Sequence, residues 1–595
     1  MLGEGGIVWR RYQKPVVVRV YEDLVNNRIV LLDSPTGSGK TLMILYAGLK
    51  YALREGLKLI VSVRTRSQMD MYLKELKRWF KDVIPTFLIA KKDACPLYSG
   101  RDGIESIDID CQKCPLRDSI STSRVIRALS EADDVLLAVF KLNSSTPPIC
   151  TYHSLRQLIS EAHVIVVSYP YIFDPSVREP TIADILSDSV LVIDEAHNID
   201  KIPDIYEKKI TRGIIEQAIR QAEKRVSDSI RKNVVELLKN IRDSIVDIVD
   251  GASREWYEEV RLPLRLGEDE LELLGEAASD VAQHIMLEYV VEANWVKRVY
   301  EFLYHVTLPG FHVYRSIQGN VKLLVVKPLD PSILTNVLSI PKRLILMSGT
   351  LPDVEYIRSS WGISGDYDYI DVELEYGPVF PNSRRFWVIV WDVTSKWDYR
   401  GEEMWSKYAK LIEKAHKLSR KNVLVITTSY TEARNITSRI SGSIPLFVEE
   451  RDTILAEAVE FARRDRGVIV AVASGKLSEG VEFVDENGHS LVDIVVIAGI
   501  PFPQPDDYTR KRVSILAEKL KVSYYDALMR ITSITIRQAI GRSIRKDGDN
   551  VIIVLADKRY RDRRWLKLLK IRFREMIYST TDLFEKVLRT QDTLK

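Results

Sequence analysis

Ten short, unbroken apolar runs recur along the 595-residue chain, each followed by a helical pattern, and they restrict the fold more than any other feature. The first half holds Ile29–Leu32, Leu59–Val63, Val164–Val167, Val190–Ile193 and Leu344–Met347; the second holds Phe386–Val390, Val423–Ile426, Val468–Val472, Ile494–Ala498 and Val551–Leu555. A strand wetted on one face alternates apolar and polar residues. An unbroken run needs cover on both faces, which a parallel sheet between two layers of helices supplies. Single cores rarely grow past about 250–300 residues, so two such sets predict two α/β domains in tandem.

Two segments break the rhythm, and both interrupt the first α/β domain before its last strand. Residues from roughly 205 to 325 have a mostly helical pattern, as in Ile214–Ile230 and Asn233–Val249, with charges on one face and Ile, Val and Leu on the other. Residues from roughly 90 to 155 read as a small loop-rich insertion of Pro, Ser and Asp. All four cysteines of the chain, Cys95, Cys111, Cys114 and Cys150, fall there within 56 consecutive residues. No apolar stretch approaches the roughly 18–20 residues of a membrane span, and Met1–Arg11 has no signal-peptide apolar region. An intracellular, cytoplasmic protein without membrane contact is expected, where disulfides are disfavoured and a shared metal or cluster explains the grouping. Four thiolates suit zinc or an iron–sulfur cluster; structural zinc more often uses two close pairs, and here only Cys111 and Cys114 are close.

Phosphate chemistry is written after the first run, where Ser34-Pro35-Thr36-Gly37-Ser38-Gly39-Lys40-Thr41 joins a strand to a helical pattern. That context is the one a phosphate loop requires. Gly37 and Gly39 let backbone N–H groups curl around phosphates, and a helix N-terminus adds its positive end. Lys40 can neutralise the β- and γ-phosphates of ATP, and the Thr41 hydroxyl can ligate Mg²⁺. Ser34 stands where Gly is usual, away from the closest phosphate contacts. The run Val190–Ile193 ends in Asp194-Glu195-Ala196-His197. An acid at that strand end can hold Mg²⁺ (Asp194) and the next can orient the attacking water (Glu195). Farther on, Gln538, Gly541, Arg542 and Arg545 have the spacing of one helical face, and the arginines offer planar cations suited to a γ-phosphate.

Overall charge says little, since 86 Lys and Arg face 83 Asp and Glu. Its distribution says more. Nine basic residues and one acid lie between Lys558 and Arg574, with Tyr560, Trp565 and Phe573 interleaved, as on either a solvated basic helix or a phosphate-facing surface.

Taken together these motifs resemble the xeroderma pigmentosum group D family of superfamily 2 iron–sulfur DNA helicases, over nearly the whole chain. Gln13, after Arg10 and Arg11, is similar to the family's adenine-reading element, and Val63-Arg-Thr-Arg-Ser-Gln68 to its motif touching the DNA backbone. Asp194 to Asn198 resembles the metal motif, and Ser348-Gly-Thr-Leu351 the segment coupling hydrolysis to domain movement. Gly475-Lys-Leu-Ser-Glu-Gly480 and Gln538 to Arg545 resemble the motifs of the second domain; Glu482 stands where the family has Asp.

The resemblance implies two RecA-like motor domains with an inserted [4Fe–4S] domain and a helical arch. The expected divisions are 1–90, 155–204 and 326–350 for the first motor domain, 91–154 for the cluster, 205–325 for the arch and 351–595 for the second motor domain. It implies catalytic roles for Lys40, Asp194, Glu195, Gln538, Arg542 and Arg545, with the last three forming an arginine-finger face. It also implies a cluster on Cys95, Cys111, Cys114 and Cys150, ATP and Mg²⁺ in the cleft, and single-stranded or forked DNA threaded past cluster and arch. A monomeric 5′→3′ helicase of DNA repair, with possible repair-protein partners, is the expected function. Two other readings use the same residues: a translocase that does not unwind, and a redox-sensing DNA-binding protein with auxiliary ATPase. Lys91 and Lys92, before Cys95, suit the cluster edge, the DNA backbone or plain solvent.

Overall fold

The structure, a computed structural model, describes residues 6–97, 111, 114–264, 266–287, 292–473, 475–571 and 576–590. Each of the ten apolar runs is a buried strand. The first sheet begins with β1 (Ile29–Asp33), β2 (Lys58–Val63), β3 (Pro85–Leu88), β4 (Val164–Ser168) and β5 (Ser189–Asp194). The chain then leaves it for the arch strands β6 (Lys208–Ile210), β7 (Glu258–Glu259), β8 (Phe311–Gln318) and β9 (Val321–Pro328), and returns for β10 (Arg343–Ser348) and β11 (Tyr367–Asp371). The sheet is parallel throughout, in the order β11-β1-β10-β5-β2-β4-β3.

The second sheet holds β12 (Arg384–Val390), β13 (Asn422–Thr427), β14 (Leu446–Val448), β15 (Val468–Val472), β16 (Val492–Ala498), β17 (Asn550–Ala556) and β18 (Met576–Ser579). It too is parallel, in the order β14-β15-β13-β16-β17-β12-β18. In both sheets the strands without an announcing apolar run, β3, β11, β14 and β18, are the four edges. An edge strand has a single neighbour and is often short and part polar, so its sequence carries a weaker signal. Tyr367-Asp-Tyr-Ile-Asp371 is of that kind.

Strand β11 corrects the expected division at 350. It pairs with β1 along its whole length, and the helix Val354–Trp361 before it packs on the first domain. Tyr356 donates to Asp200 Oδ2 at 2.7 Å and the Trp361 indole N–H to Asp200 Oδ1 at 3.0 Å, so the first domain runs on to Asp371. The arch is also less purely helical than its pattern. Helices Arg212–Arg225, Asp228–Asp250, Glu268–Leu287 and Trp295–Thr307 share a core around Leu238, Ile241, Leu274 and Phe302. They sit on an antiparallel sheet in the order β6-β9-β8-β7. The continuous helix expected over Ile214–Ile230 breaks at Val226 and Ser227.

The cysteine insertion likewise has more structure than loops. Helices Thr122–Glu131, Val135–Asn143 and Thr151–Gln157 turn Val125, Leu129, Val139 and Leu142 towards the first domain. Lys77 donates to the Ala132 carbonyl at 2.6 Å, and the Val135 N–H to Asp70 at 2.9 Å.

The basic stretch from Lys558 is not one solvated helix. Lys558–Arg561 is a 3₁₀ turn and Arg563–Leu568 a short helix; Tyr560 and Trp565 are core side chains with no exposure. Arg559 and Arg564 pair with Asp557 and Asp562. Arg572, Phe573 and Arg574 lie outside the described residues. Among the described residues no helix is long and apolar enough to cross a membrane.

Trp361 is fully buried and ties the corrected end of the first domain to Asp200. Trp361→Ala should therefore lower stability to denaturant by about 3–5 kcal/mol, the cost of an emptied aromatic site. Loss below 1 kcal/mol would place this helix outside the domain's cooperative unit.

Candidate nucleotide site and cysteine cluster

The loop from Ser34 to Thr41 leaves the carboxyl end of β1 and enters the helix Lys40–Glu55, whose face carries Met43, Ile44 and Ala47 into the core. Gly39, the residue before this helix, has φ +80°. A Cβ there would stand 2.5 Å from the Gln13 amide nitrogen and displace it from the loop, and the positive φ itself favours glycine. Ser34 and Ser38 share a hydroxyl contact of 2.7 Å, which gives the departure at position 34 a bracing role inside the loop.

Three side chains from the N-terminal segment hold the loop from outside. The Tyr12 hydroxyl and the Gln13 amide donate to the Ser38 carbonyl at 2.7 and 2.8 Å, and Arg10 donates to the Gly37 carbonyl at 2.7 Å. Gln13 is thus held against the loop, with its oxygen accepting from the Arg10 N–H at 2.8 Å. From β10, Ser348-Gly-Thr350 packs on the loop: a Cβ on Gly349 would meet Thr36 at 3.2 Å. The Ser34 N–H donates to the Ser348 carbonyl at 2.9 Å.

Strand β5 delivers Asp194 and Glu195. Glu195 has φ +52°, a left-handed conformation that a side-chain-bearing residue adopts at a cost and that clusters at functional sites. The Tyr169 hydroxyl, 2.9 and 3.0 Å from the carbonyls of Asp194 and Glu195, donates between them and holds this turn. Lys40 makes an ion pair with Glu195. Burial disfavours both charges, yet each outweighs that for the other, leaving the Lys40 ammonium above its usual range and the Glu195 carboxyl below its own. Asp194 goes the opposite way: burial, and the Glu195 charge beside it, push it up despite Lys40. Tyr72 donates to Asp194 Oδ2 at 3.3 Å.

His197 lies behind the carboxylate, its Nδ1 2.7 Å from Ser348 Oγ. Burial drives its pKa down to about 4, so the ring is neutral at pH 7. The second domain closes over this assembly, but not as one helical face. The helix Tyr524–Ile540 ends with Gly541 as its cap; Gln538 stands in its last turn, and Arg542 and Arg545 follow in the turn beyond. Both arginines still reach the cleft, because each senses the Glu195 charge. Arg542 donates to the Val481 carbonyl at 2.7 Å. Arg545 Nη1 lies 3.0 Å from Glu482 Oε1, so the longer acid at this position keeps a cationic partner.

Sequence reasoning missed the clasp beneath the loop. Asp33, the last residue of β1, is buried and lies 3.0 Å from Arg537 Nη2 and 2.5 Å from Lys570 Nζ, both from the second domain. Burial alone would raise this carboxyl, but the two cations overcome it and hold it low. Arg537 also donates to the Leu351 carbonyl at 3.1 Å. A charged residue ending an apolar run, and an arginine beside Gln538, were the available signals.

In the cysteine segment Cys95 and Cys150 are buried, and burial pushes both thiols up. Against that, the Leu97 N–H donates to the Cys95 sulfur and the His153 N–H to the Cys150 sulfur, contacts that favour thiolates. Each buried thiol senses Cys114 and the Lys91 charge, and Cys150 also senses Cys111, so the four sulfurs share one neighbourhood. Among the described residues no three His, Cys, Asp or Glu side chains converge as ligands of a single ion. Four sulfurs, two shielded and backed by N–H donors, are a donor set that fits an iron–sulfur cluster.

Comparison with known proteins sets the chain among helicases. Residues 11–101 match the DEAD/DEAH box helicase family, 61–212 the DEAD_2 family and 412–576 a helicase C-terminal domain. The chain is 33% identical to the ATP-dependent DNA helicase XPD of Sulfolobus acidocaldarius over 566 residues, 94% of this chain and 98% of that protein. It is 22% identical to the XPD helicase subunit of general transcription and DNA repair factor IIH of Schizosaccharomyces pombe, over 89% of this chain and 84% of that one. A solved XPD helicase superposes with TM-score 0.76 at 32% identity, covering 96% of this chain and all of the other.

Neutral, buried His197 ties stability to pH. The unfolded chain takes this proton near the ordinary value of 6.5 and the folded chain only near 4, so protons favour unfolding across that window. Between pH 7 and pH 5 the wild type should lose about 2 kcal/mol more than His197→Gln in denaturant unfolding. Parallel losses in the two proteins would show that the ring is not held neutral.

Proposed function

We propose that this chain, which belongs to the XPD family of ATP-dependent DNA helicases, hydrolyses ATP in the cleft between its two parallel-sheet domains and uses the closure to move along single-stranded DNA and unwind duplex. The observation that carries this reading is the convergence of Lys40, Glu195, Arg542 and Arg545, drawn from both domains, on one buried charge cluster. A single domain would need only the first two; arginines approaching from the second make hydrolysis depend on closure.

In this reading Lys40 exchanges its pairing with Glu195 for the β- and γ-phosphates. The freed Glu195 carboxylate, low in pKa and fixed by its left-handed backbone, orients the attacking water. Thr41 and Asp194 would hold Mg²⁺, which when bound neutralises charge on the phosphoryl group being transferred. Gln13 reads the adenine end, and Gln538, Arg542 and Arg545 meet the γ-phosphate. Cys95, Cys111, Cys114 and Cys150 would hold a [4Fe–4S] cluster, which when bound supplies the cross-links that fix the insertion's shape. Polarity 5′→3′ and service in DNA repair are part of the proposal, supported by relatives named for DNA repair.

Strand displacement on 5′-tailed and 3′-tailed forks with ATP tests the reading. Unwinding of the 5′-tailed fork is expected, and ATPase that single strands stimulate but without displacement on either fork would mark a translocase instead. Lys40→Ala and Glu195→Gln should each cut steady-state ATPase by about 10²-fold or more, since one removes the phosphate cation and the other the water's acceptor. Substantial turnover in either would refute the site.

For the cluster, iron near four atoms per chain is expected in protein purified without oxygen, with a brown colour. Cys111→Ser should retain much of the DNA-stimulated ATPase and lose strand separation. One zinc per colourless chain would overturn this assignment.

A further inference from the structure

Arg64 is exposed just beyond β2, yet its guanidinium is anchored on a buried amide: Nη1 donates to Asn198 Oδ1 at 2.8 Å, and Asn198 is 3% exposed. Its neighbours in that segment have local duties. Thr65 and Gln68 form the capping box of the helix Arg66–Trp79, and Arg66 pairs with Asp93. Arg64 is therefore the cation of this segment whose partner lies towards the nucleotide.

Arginine can only donate, so the atom it faces must be the Asn198 oxygen, and this settles every bond behind it. Asn198 Nδ2 points inward, 3.0 Å from the Glu195 carbonyl and 2.9 Å from His197 Nε2. Nε2 accepts, so the neutral ring carries its proton on Nδ1 and donates it to Ser348 Oγ at 2.7 Å. The Ser348 hydroxyl is left to face Glu195 Oε2 at 3.4 Å. One directed chain thus runs from an exposed cation to the carboxylate that pairs with Lys40.

We propose that Asn198 is a positioning residue that reports strand occupancy at Arg64 to the Glu195 carboxylate. The proposal rests on the reading above, in which the Arg64 segment meets the DNA backbone and Glu195 orients water. A backbone phosphate is a stronger partner for a guanidinium than a neutral amide, so a bound strand draws Arg64 from Asn198. The buried Asn198 oxygen then lacks a donor, and the side chain turns outward to reach one, because a half-turn in place would only set that oxygen against the Glu195 carbonyl and His197 Nε2, both acceptors. Rotation withdraws Nδ2 from the Glu195 carbonyl and from His197, so the ring and the Ser348 hydroxyl lose their fixed order against Glu195 Oε2, while Tyr169 keeps the left-handed turn. The carboxylate is released towards the water it must orient.

The test uses the full chain, a dT oligomer of about 30 nucleotides, and two measurements: ATPase kcat with and without saturating oligomer, and oligomer Kd by fluorescence anisotropy. Asn198→Asp keeps size and an acceptor for Arg64 but removes both inward donors. The stimulation ratio should fall about tenfold while Kd stays within about twofold, because Asn198 lies behind Arg64 and away from the strand. Arg64→Lys keeps a cation for phosphate but not the fork, and should lose stimulation to the same extent at oligomer concentrations that saturate it, whatever its Kd; it also serves if Asn198→Asp melts early. Stimulation at the wild-type ratio in both variants overturns the proposal while leaving the motor intact. A wild type whose ATPase ignores the oligomer overturns the motor reading and this proposal with it.

Discussion

Asp33 is the charge on which the arrangement of the two motor domains depends. A carboxylate buried at the end of β1 is costly unless cations and hydrogen bonds surround it. The first domain supplies Tyr369, 3.2 Å away, but both cations, Arg537 and Lys570, come from the second. The next residue along the chain is Ser34, the first of the phosphate loop, and the next after Arg537 is Gln538. One ion cluster therefore sets the loop, the end of the Tyr524–Ile540 helix and the turn bearing Arg542 and Arg545 in mutual register.

Above that joint, the cleft stores unlike charges at close quarters. Lys40 and Glu195 satisfy each other, Asp194 is kept high by burial and by its neighbour, and the His197 ring is neutral. Each of these arrangements is one that phosphates would disturb. In the proposed reading an incoming γ-phosphate would compete with Glu195 for Lys40, and a cation at Asp194 would restore its charge. Tyr169, Tyr72 and Ser348 hold the backbone and side chains through that exchange, because their partners lie on the first domain alone.

The two insertions are attached by different means, which bears on how they would follow the motor. The cysteine segment docks on the first domain through Asp70, Lys77 and apolar helix faces. The arch has its own core but touches the second domain through a cage in which Tyr257, Tyr314 and Tyr508 meet edge to face and Lys327 lies 4.3 Å over the Tyr508 ring. The Asp507 carboxylate accepts from the Glu259 N–H at 2.9 Å, and Lys511 pairs with Glu259. Relative movement of the motor domains would thus shift the arch against the cysteine segment.

The sequence is enough for the two-sheet architecture, the phosphate loop and the Asp194–Glu195 turn, because each is a local demand. An interior parallel strand must be apolar on both faces, and a phosphate loop must have Gly39 where φ is positive. It does not reveal the edge strands β3, β11, β14 and β18, whose one-sided pairing leaves a faint pattern, and so a domain boundary at 350 falls short of β11. Nor did it determine that the helix carrying Gln538 stops at Ile540; the periodicity of Arg542 and Arg545 fits a continuing helix equally well. Tertiary structure alone decided the Asp33 clasp, the direction of the Arg64–Asn198–His197–Ser348 chain and the burial of Tyr560 and Trp565. Those depend on residues distant in the chain, as far as Asp33 and Arg537, meeting in a low-dielectric interior. There a charge must find a partner, and spacing along the chain carries no record of which one it finds.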